Sequence, residues 1–89
     1  MSARAQKPIP RTTFRLIIEE RDNGWEVVFY GEDGKVRHIS NSRSEIAALR
    51  SAHFIARYYH YDQAALLRSR HGDKRINVSE LMQNRRTSR

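Results

Sequence analysis

From residue 13 to residue 40 the chain alternates apolar and polar positions with a period of two, the signature of β-strands. In TFRLIIEE, Phe14, Leu16 and Ile18 fall on one side and Arg15, Ile17 and Glu19 on the other. RDNG follows, and Asn23-Gly24 reads as a hairpin turn because both residues tolerate positive φ. WEVVFY is a second strand with Trp25, Val27 and Phe29 on one side. Asp33-Gly34 within EDGK marks another turn, and VRHIS is a shorter third strand. The pattern predicts a three-stranded antiparallel meander. Phe14, Leu16, Ile18, Trp25, Val27, Phe29 and Val36 make one strongly apolar face. Ile17, Val28, Tyr30 and Ile39 share the other with Arg15, Glu19, Glu26 and Arg37.

Beyond residue 42 the period changes from that of a strand to that of a helix. Ala48, Leu49, Ala52, Ile55, Ala56 and Tyr59 form a stripe at helical spacing. Ser42 and Glu45 have the S-x-x-E spacing of a capping box, which predicts a helix over residues 43–60. The small residues of the stripe let this helix lie close to the apolar sheet face, over Trp25 and Phe29. Tyr59 ends the stripe facing the core, while Ile46 and His53 flank it. Successive helical residues turn by about 100°, so Phe54, Tyr58 and Tyr61 cannot all join that core. Phe54 stands with Arg50, Arg57 and Tyr58 away from the stripe, either as a contact surface or as a lid over residues 63–82.

The last third of the chain is the least periodic. AALLRSR suits a fourth strand, or a second helix capped by Asp62; HGDK reads as a turn, RINV as a short extended piece, and Ser79–Met82 as one helical turn. Strand, turn and extension is the favoured reading. The expected fold is therefore α+β: a three-stranded antiparallel meander with one long helix packed on one face, followed by a short fourth strand or helix, a ββαβ-like order. A basic arm (1–11), a single domain (12–82) and a basic tail (83–89) divide the chain.

Composition narrows the class. The 89 residues allow one small domain that leaves much of its surface open. With no cysteine, disulfides and cysteine-ligated zinc are excluded. No apolar run approaches the roughly 18 residues of a membrane span, and MSARAQKPIPRTT lacks the apolar region of a signal peptide. Cytoplasm is the expected compartment. The formal net charge is +7, carried at the ends: Arg4, Lys7 and Arg11 on the arm, and Arg68, Arg70, Lys74, Arg75, Arg85, Arg86 and Arg89 against Asp73 and Glu80 beyond residue 62. Most of these cations are arginine, whose planar fork suits phosphate and carboxylate and stacks on rings.

Catalytic chemistry is not signalled. His53 and His60 are seven residues apart, too far for the i, i+4 pair that grips a metal on one helix face. No glycine-rich phosphate loop and no G-x-S-x-G occurs. Glu19-Glu20 and Glu32-Asp33 are sequence neighbours in or beside strands, where adjacent side chains point to opposite faces, so they are poor acid–base pairs. The expectation is a chain that is not an enzyme and takes no cofactor and no metal.

Three stretches carry a resemblance: Gly24-Trp25-Glu26-Val27, then Ser42-Arg43-Ser44-Glu45-Ile46-Ala47, then Ala65-Leu66-Leu67 running into His71-Gly72-Asp73-Lys74-Arg75-Ile76. Over about residues 14–76 the chain resembles a family of short bacterial proteins of unknown function. In that family a G-W-x-V hairpin precedes an S-x-S-E-A-type helix and a closing strand with a D-G-x-I-like turn. Ile46 stands where that pattern has alanine, and Gly72-Asp73 inverts its Asp-Gly. The resemblance implies the sheet-plus-helix fold and no reaction. By type, the size, basic ends and compact plan are also similar to small phage anti-defence proteins, anti-CRISPR proteins among them.

The functional expectation is a non-enzymatic binding protein, a phage or mobile-element inhibitor docking on a nucleic-acid-containing host complex such as a ribonucleoprotein. The alternatives are a small DNA- or RNA-binding regulator and a small nuclease or toxin. Arginine to phosphate and ring to base is how sequence-tolerant nucleic-acid binding is built, and arginine and aromatic residues also anchor protein interfaces. The expected binding residues are Arg50, Phe54, Arg57, Tyr58, Arg68, Arg70, Lys74 and Arg75. No membrane partner is expected, and the oligomeric state is open.

Overall fold

A computed structural model describes residues 14–81. The expected basic arm and basic tail lie outside the described residues. The elements in chain order are β1 (Leu16–Arg21), β2 (Gly24–Tyr30), β3 (Val36–Ser42), α1 (Glu45–Tyr58), β4 (Ala64–Ser69) and β5 (Gly72–Asn77). The fold is α+β, with one five-stranded mixed sheet in the order β3-β2-β1-β4-β5 and one main helix.

The meander is present as expected, with β1 antiparallel to β2 and β2 antiparallel to β3. The remainder goes further than one closing strand. AALLRSR becomes β4, paired parallel to β1 from Leu16↔Ala65 to Glu19↔Arg68, and β5 pairs antiparallel with β4. A parallel pair needs a crossover. Here α1 carries the chain from the β3 edge across one sheet face back to the middle. Residues 78–81 are helical, as the Ser79–Met82 pattern suggested, with Met82 itself outside the described residues.

Core packing follows the stripe. Leu16, Ile18, Val27, Phe29, Ala65 and Leu67 from the sheet bury against Ala48, Ala52, Ile55 and Ala56 of α1, with Leu49, Trp25 and Tyr59 half-buried at the margin. Each large aliphatic side chain buried this way contributes roughly 1.5–3 kcal/mol. Tyr61, Ile76 and Leu81 close the same core over β4 and β5. On the opposite face Phe14, Ile17, Ala64 and Leu66 form a smaller cluster with Tyr30 against it.

Several local expectations are corrected. The helix begins at Glu45, and its N-cap is Ser44, whose Oγ accepts a hydrogen bond from the Ala47 N–H at 3.1 Å. Ser42 is not available to cap because it is still paired with Trp25 at the end of β3. The first hairpin closes on Arg21↔Gly24 around a loop of Asp22 and Asn23. Positive φ falls on Gly24 (150°) and not on Asn23. A Cβ at Gly24 would also lie 2.5 Å from the Ser42 carbonyl oxygen, so glycine is required twice over. Phe14 and Arg15 exchange their expected faces. The chain bends at Arg15, sending Phe14 to the Ile17–Leu66 side and the Arg15 guanidinium over Phe29. Val36 leaves the apolar face because the β2–β3 register shifts between Phe29 and Tyr30. It opposes Tyr30 and is 49% exposed.

The helix ends in a motif built for glycine but occupied by histidine. The Tyr61 N–H donates to the Ala56 carbonyl at 2.8 Å and the His60 N–H to the Arg57 carbonyl at 3.2 Å, the paired bonds of a Schellman cap. His60 sits in the left-handed region with φ 57°. This reversal turns Tyr61 back under the helix, where it is buried.

Candidate interaction surface

The rings of the helix end divide into two populations. Phe29, Tyr59 and Tyr61 form an internal set: Tyr59 stacks on Phe29 at 4.6 Å, and Tyr61 meets Phe29 edge-on at 5.5 Å. The Tyr59 hydroxyl donates to the Arg37 carbonyl of β3, and the Tyr61 hydroxyl to the Ala64 carbonyl at the start of β4. Burial raises the Tyr61 hydroxyl above its ordinary pKa, against the opposing pull of Arg15. The external set is Phe54, 70% exposed, and Tyr58, 76% exposed, with Ile46 at 68% on the same helix. Tyr58 touches the internal set only edge-on, 4.8 Å from Tyr59. The described part of segment 63–82 does not cover Phe54, so the lid reading fails and the ring faces outward.

Between these exposed side chains stand Arg43, Arg50 and Arg57, also exposed. Their spacing of seven residues puts Arg50 and Arg57 nearly in line along the helix, with Arg43 just before its start. No acidic residue occurs from Ile46 to Tyr61. Among the described residues none of these three arginines makes an ion pair. The outer face of α1 is thus an apolar and aromatic strip interleaved with cations. The apolar stripe that packs α1 on the sheet leaves it there, because the positions on the far side of the helix from the stripe point to solvent.

The other expected binding residues are elsewhere. Arg68 projects from the sheet face opposite α1 and donates two hydrogen bonds to the Asp73 carboxylate, from Nε to Oδ1 at 3.0 Å and from Nη2 to Oδ2 at 3.1 Å. That carboxylate holds the guanidinium above its ordinary pKa. Arg70 lies in the β4–β5 turn, where its backbone N–H and side chain both donate to Glu20, at 2.9 and 3.0 Å. The Arg70 backbone N–H first, and its side chain second, lower the Glu20 pKa. Arg75 shares the face of Leu66, and Lys74 the opposite one, at the β5 edge. The eight residues therefore do not form one surface: Arg50, Phe54, Arg57 and Tyr58 cluster, while Arg68 ties β4 to β5 through Asp73 and Arg70 ties their turn to Glu20 of β1.

Arg15 is a feature that sequence reading misplaced. Its guanidinium lies 5.1 Å from the Phe29 ring centre and 5.6 Å from that of Tyr61, and its Nε donates to the Tyr30 carbonyl at 3.0 Å. With Arg37, Glu32, Asp33 and Tyr59 it lines an open cleft. Guanidiniums and carboxylates balance in this cleft, and Arg37 is already paired with Asp33 at 3.4 Å, so it does not select an anion or a cation.

The histidines stand apart in the fold: His38 on β3 near Tyr59 at 6.2 Å, His53 on α1, His60 at the helix cap and His71 in the β4–β5 turn. Among the described residues no group of three or more His, Cys, Asp or Glu side chains is placed to hold a metal ion. No helix among them is long and apolar enough to cross a membrane. No family model, curated protein or solved structure matches the chain.

Proposed function

We propose that this chain is a non-enzymatic binding protein that docks on a nucleic-acid-containing protein complex through the outer face of α1. The observation that carries the reading is the pair of rings, Phe54 and Tyr58, left 70% and 76% exposed on a helix face that also presents Arg50 and Arg57. Two large rings stand open to water here beside guanidiniums that make no ion pair among the described residues. That combination suits a partner with phosphates or carboxylates beside flat apolar groups. A phage or mobile-element inhibitor of the anti-CRISPR type is the concrete form of this proposal. It rests on similarity of size, charge and plan.

The test is capture of partners from a bacterial lysate by the full chain and by the double variant Arg50→Glu/Arg57→Glu, each with and without nuclease. The expected result is a defined protein complex retained by the wild type, with its nucleic acid, and lost by the variant. Contact charges release counterions, so retention should weaken steeply with salt, by a log–log slope of roughly −0.7 to −0.9 per phosphate contact. Capture unaffected by both reversals, at every salt concentration, would remove this face from consideration. Histidine-to-alanine variants at positions 38, 53, 60 and 71 should leave binding intact. A folded variant that lost cleavage of RNA or DNA would point to a nuclease instead.

A further inference from the structure

The outer face of α1 has a definite layout. Arg50 and Arg57 stand seven residues apart, about 10.5 Å along the axis at 1.5 Å per residue. Phe54 lies between them, four residues after Arg50 and three before Arg57, the spacings at which helix side chains are surface neighbours. Tyr58 follows Phe54 at i+4 and is braced edge-on by Tyr59 at 4.8 Å. Both rings stay open, at 70% and 76%. A polymer that reaches both guanidiniums along the helix must therefore cross Phe54. From Ile46 to Tyr61 the chain has no Asp, Glu, Asn or Gln.

We propose that this face binds an unpaired nucleic-acid strand, with bases stacked on Phe54 and Tyr58 and the neighbouring phosphates held by Arg50 and Arg57. The inference rests on the docking face argued above and names the part of the complex that this face touches.

The order of cations and rings favours a single strand. Such a strand offers phosphates with free base faces between them, and every base has a face to stack. A duplex offers phosphates as well, but its base faces are already stacked on one another, so Phe54 would be set against a charged backbone. Helices that read a duplex do so through base edges in the major groove, with Asn, Gln, Asp and Glu among the readers. This face has none of those four. The same lack makes binding nearly independent of base sequence. An acidic protein surface would satisfy the guanidiniums without calling for a ring between them.

Fluorescence anisotropy of the full-length chain tests the proposal, with labelled oligothymidine of about 10 nucleotides, within the size range of single-strand sites. The companion probes are an abasic strand of the same length, which keeps the phosphates and loses the bases, and a blunt duplex. The wild type should bind oligothymidine more tightly than either, and oligocytidine as well as oligothymidine. Phe54→Ala should weaken binding of oligothymidine by about 5- to 150-fold, the equivalent of one lost stack, and leave binding of the abasic strand unchanged. Arg57→Gln should reduce the log–log salt slope by about 0.7 on both strands, one phosphate contact. The basic residues near the two ends of the chain act alike on the thymidine and abasic strands, so the comparison isolates α1. Circular dichroism and an unchanged melting temperature keep the variants interpretable, since Phe54 and Arg57 are exposed. A duplex bound as tightly as oligothymidine overturns the proposal, as does an equal loss on the thymidine and abasic strands in Phe54→Ala. Failure to bind oligothymidine, with lysate capture still lost on reversing Arg50 and Arg57, overturns this inference alone and assigns the contact to a protein of the complex. Capture that survives the reversals overturns the docking face and this inference with it.

Discussion

Replacing His60 by glycine should make the protein more stable, although it removes a side chain from a capping position. His60 holds φ 57° at the turn that ends α1. An L-residue in this region pays roughly 1–2 kcal/mol because its Cβ crowds the following carbonyl. Glycine escapes that crowding but gains freedom in the unfolded chain, which takes back about 0.4–1 kcal/mol. The His60 side chain is exposed and has no ion pair or hydrogen bond to lose among the described residues. The net expectation is stabilisation by about 0.5–1 kcal/mol, or a rise in melting temperature of roughly 3–6 °C for a domain of this size. His60→Ala is the control, since it deletes the imidazole and keeps the strained φ. Thermal and urea unfolding should rank glycine above both the wild type and alanine. Equal stability of the glycine and alanine variants would refute the argument, because the φ penalty would then be absent. The point bears on the interaction surface, since this cap sets the directions in which Tyr58, Tyr59 and Tyr61 leave the helix.

Ile55→Ala should cost about 2–5 kcal/mol by leaving a cavity beneath α1, read as a lowered urea midpoint; a shift within error would contradict the packing of the helix on Val27 and Phe29. Glu20→Gln should flatten the acid limb of stability. The folded carboxylate titrates below its ordinary value, so its contribution is present above the unfolded pKa and lost as pH falls through the folded one; superimposable acid limbs for variant and wild type would argue against the Arg70 clasp. Tyr61→Phe should abolish an alkaline loss of stability. Burial raises the folded pKa, so stability is full below the ordinary value of about 10 and declines as pH rises through the raised one. At neutral pH the same variant should lose about 0.5–1.5 kcal/mol with the hydrogen bond to Ala64.

How far the sequence reveals the fold depends on the range of the interactions involved. The meander and the helix are legible because period two and period 3.6 are local, and Ala48, Ala52, Ile55 and Ala56 bury where their spacing places them. The exchange of Phe14 and Arg15 is not legible, because a bend breaks the alternation and only the rings of Phe29 and Tyr61, distant in sequence, reward it. The choice of Ser44 over Ser42 as cap depends on how far β3 extends along Trp25, a pairing that no local pattern reports. At the surface, Phe54 and Tyr58 are legible as the residues the stripe excludes. Arg68 and Arg70 look equivalent to Arg50 and Arg57 in composition. Their partners, Asp73 and Glu20, are set by strand register and by the meeting of two hairpin ends. The seven-residue spacing of Arg43, Arg50 and Arg57 was in the sequence all along, and it gains meaning only once the helix boundaries are known.

The most direct test of the central claim places a photoreactive residue at position 54 in one sample and at position 75 in another. Both positions are exposed, and Phe54 and Arg75 lie on opposite sides of the molecule. Illumination in a lysate containing the partner should join the chain through position 54 to a component of the nucleic-acid-containing complex, and should give no such adduct through position 75. Cross-links to the complex from position 75 and none from position 54 would contradict the account and transfer the binding function to the sheet face opposite α1.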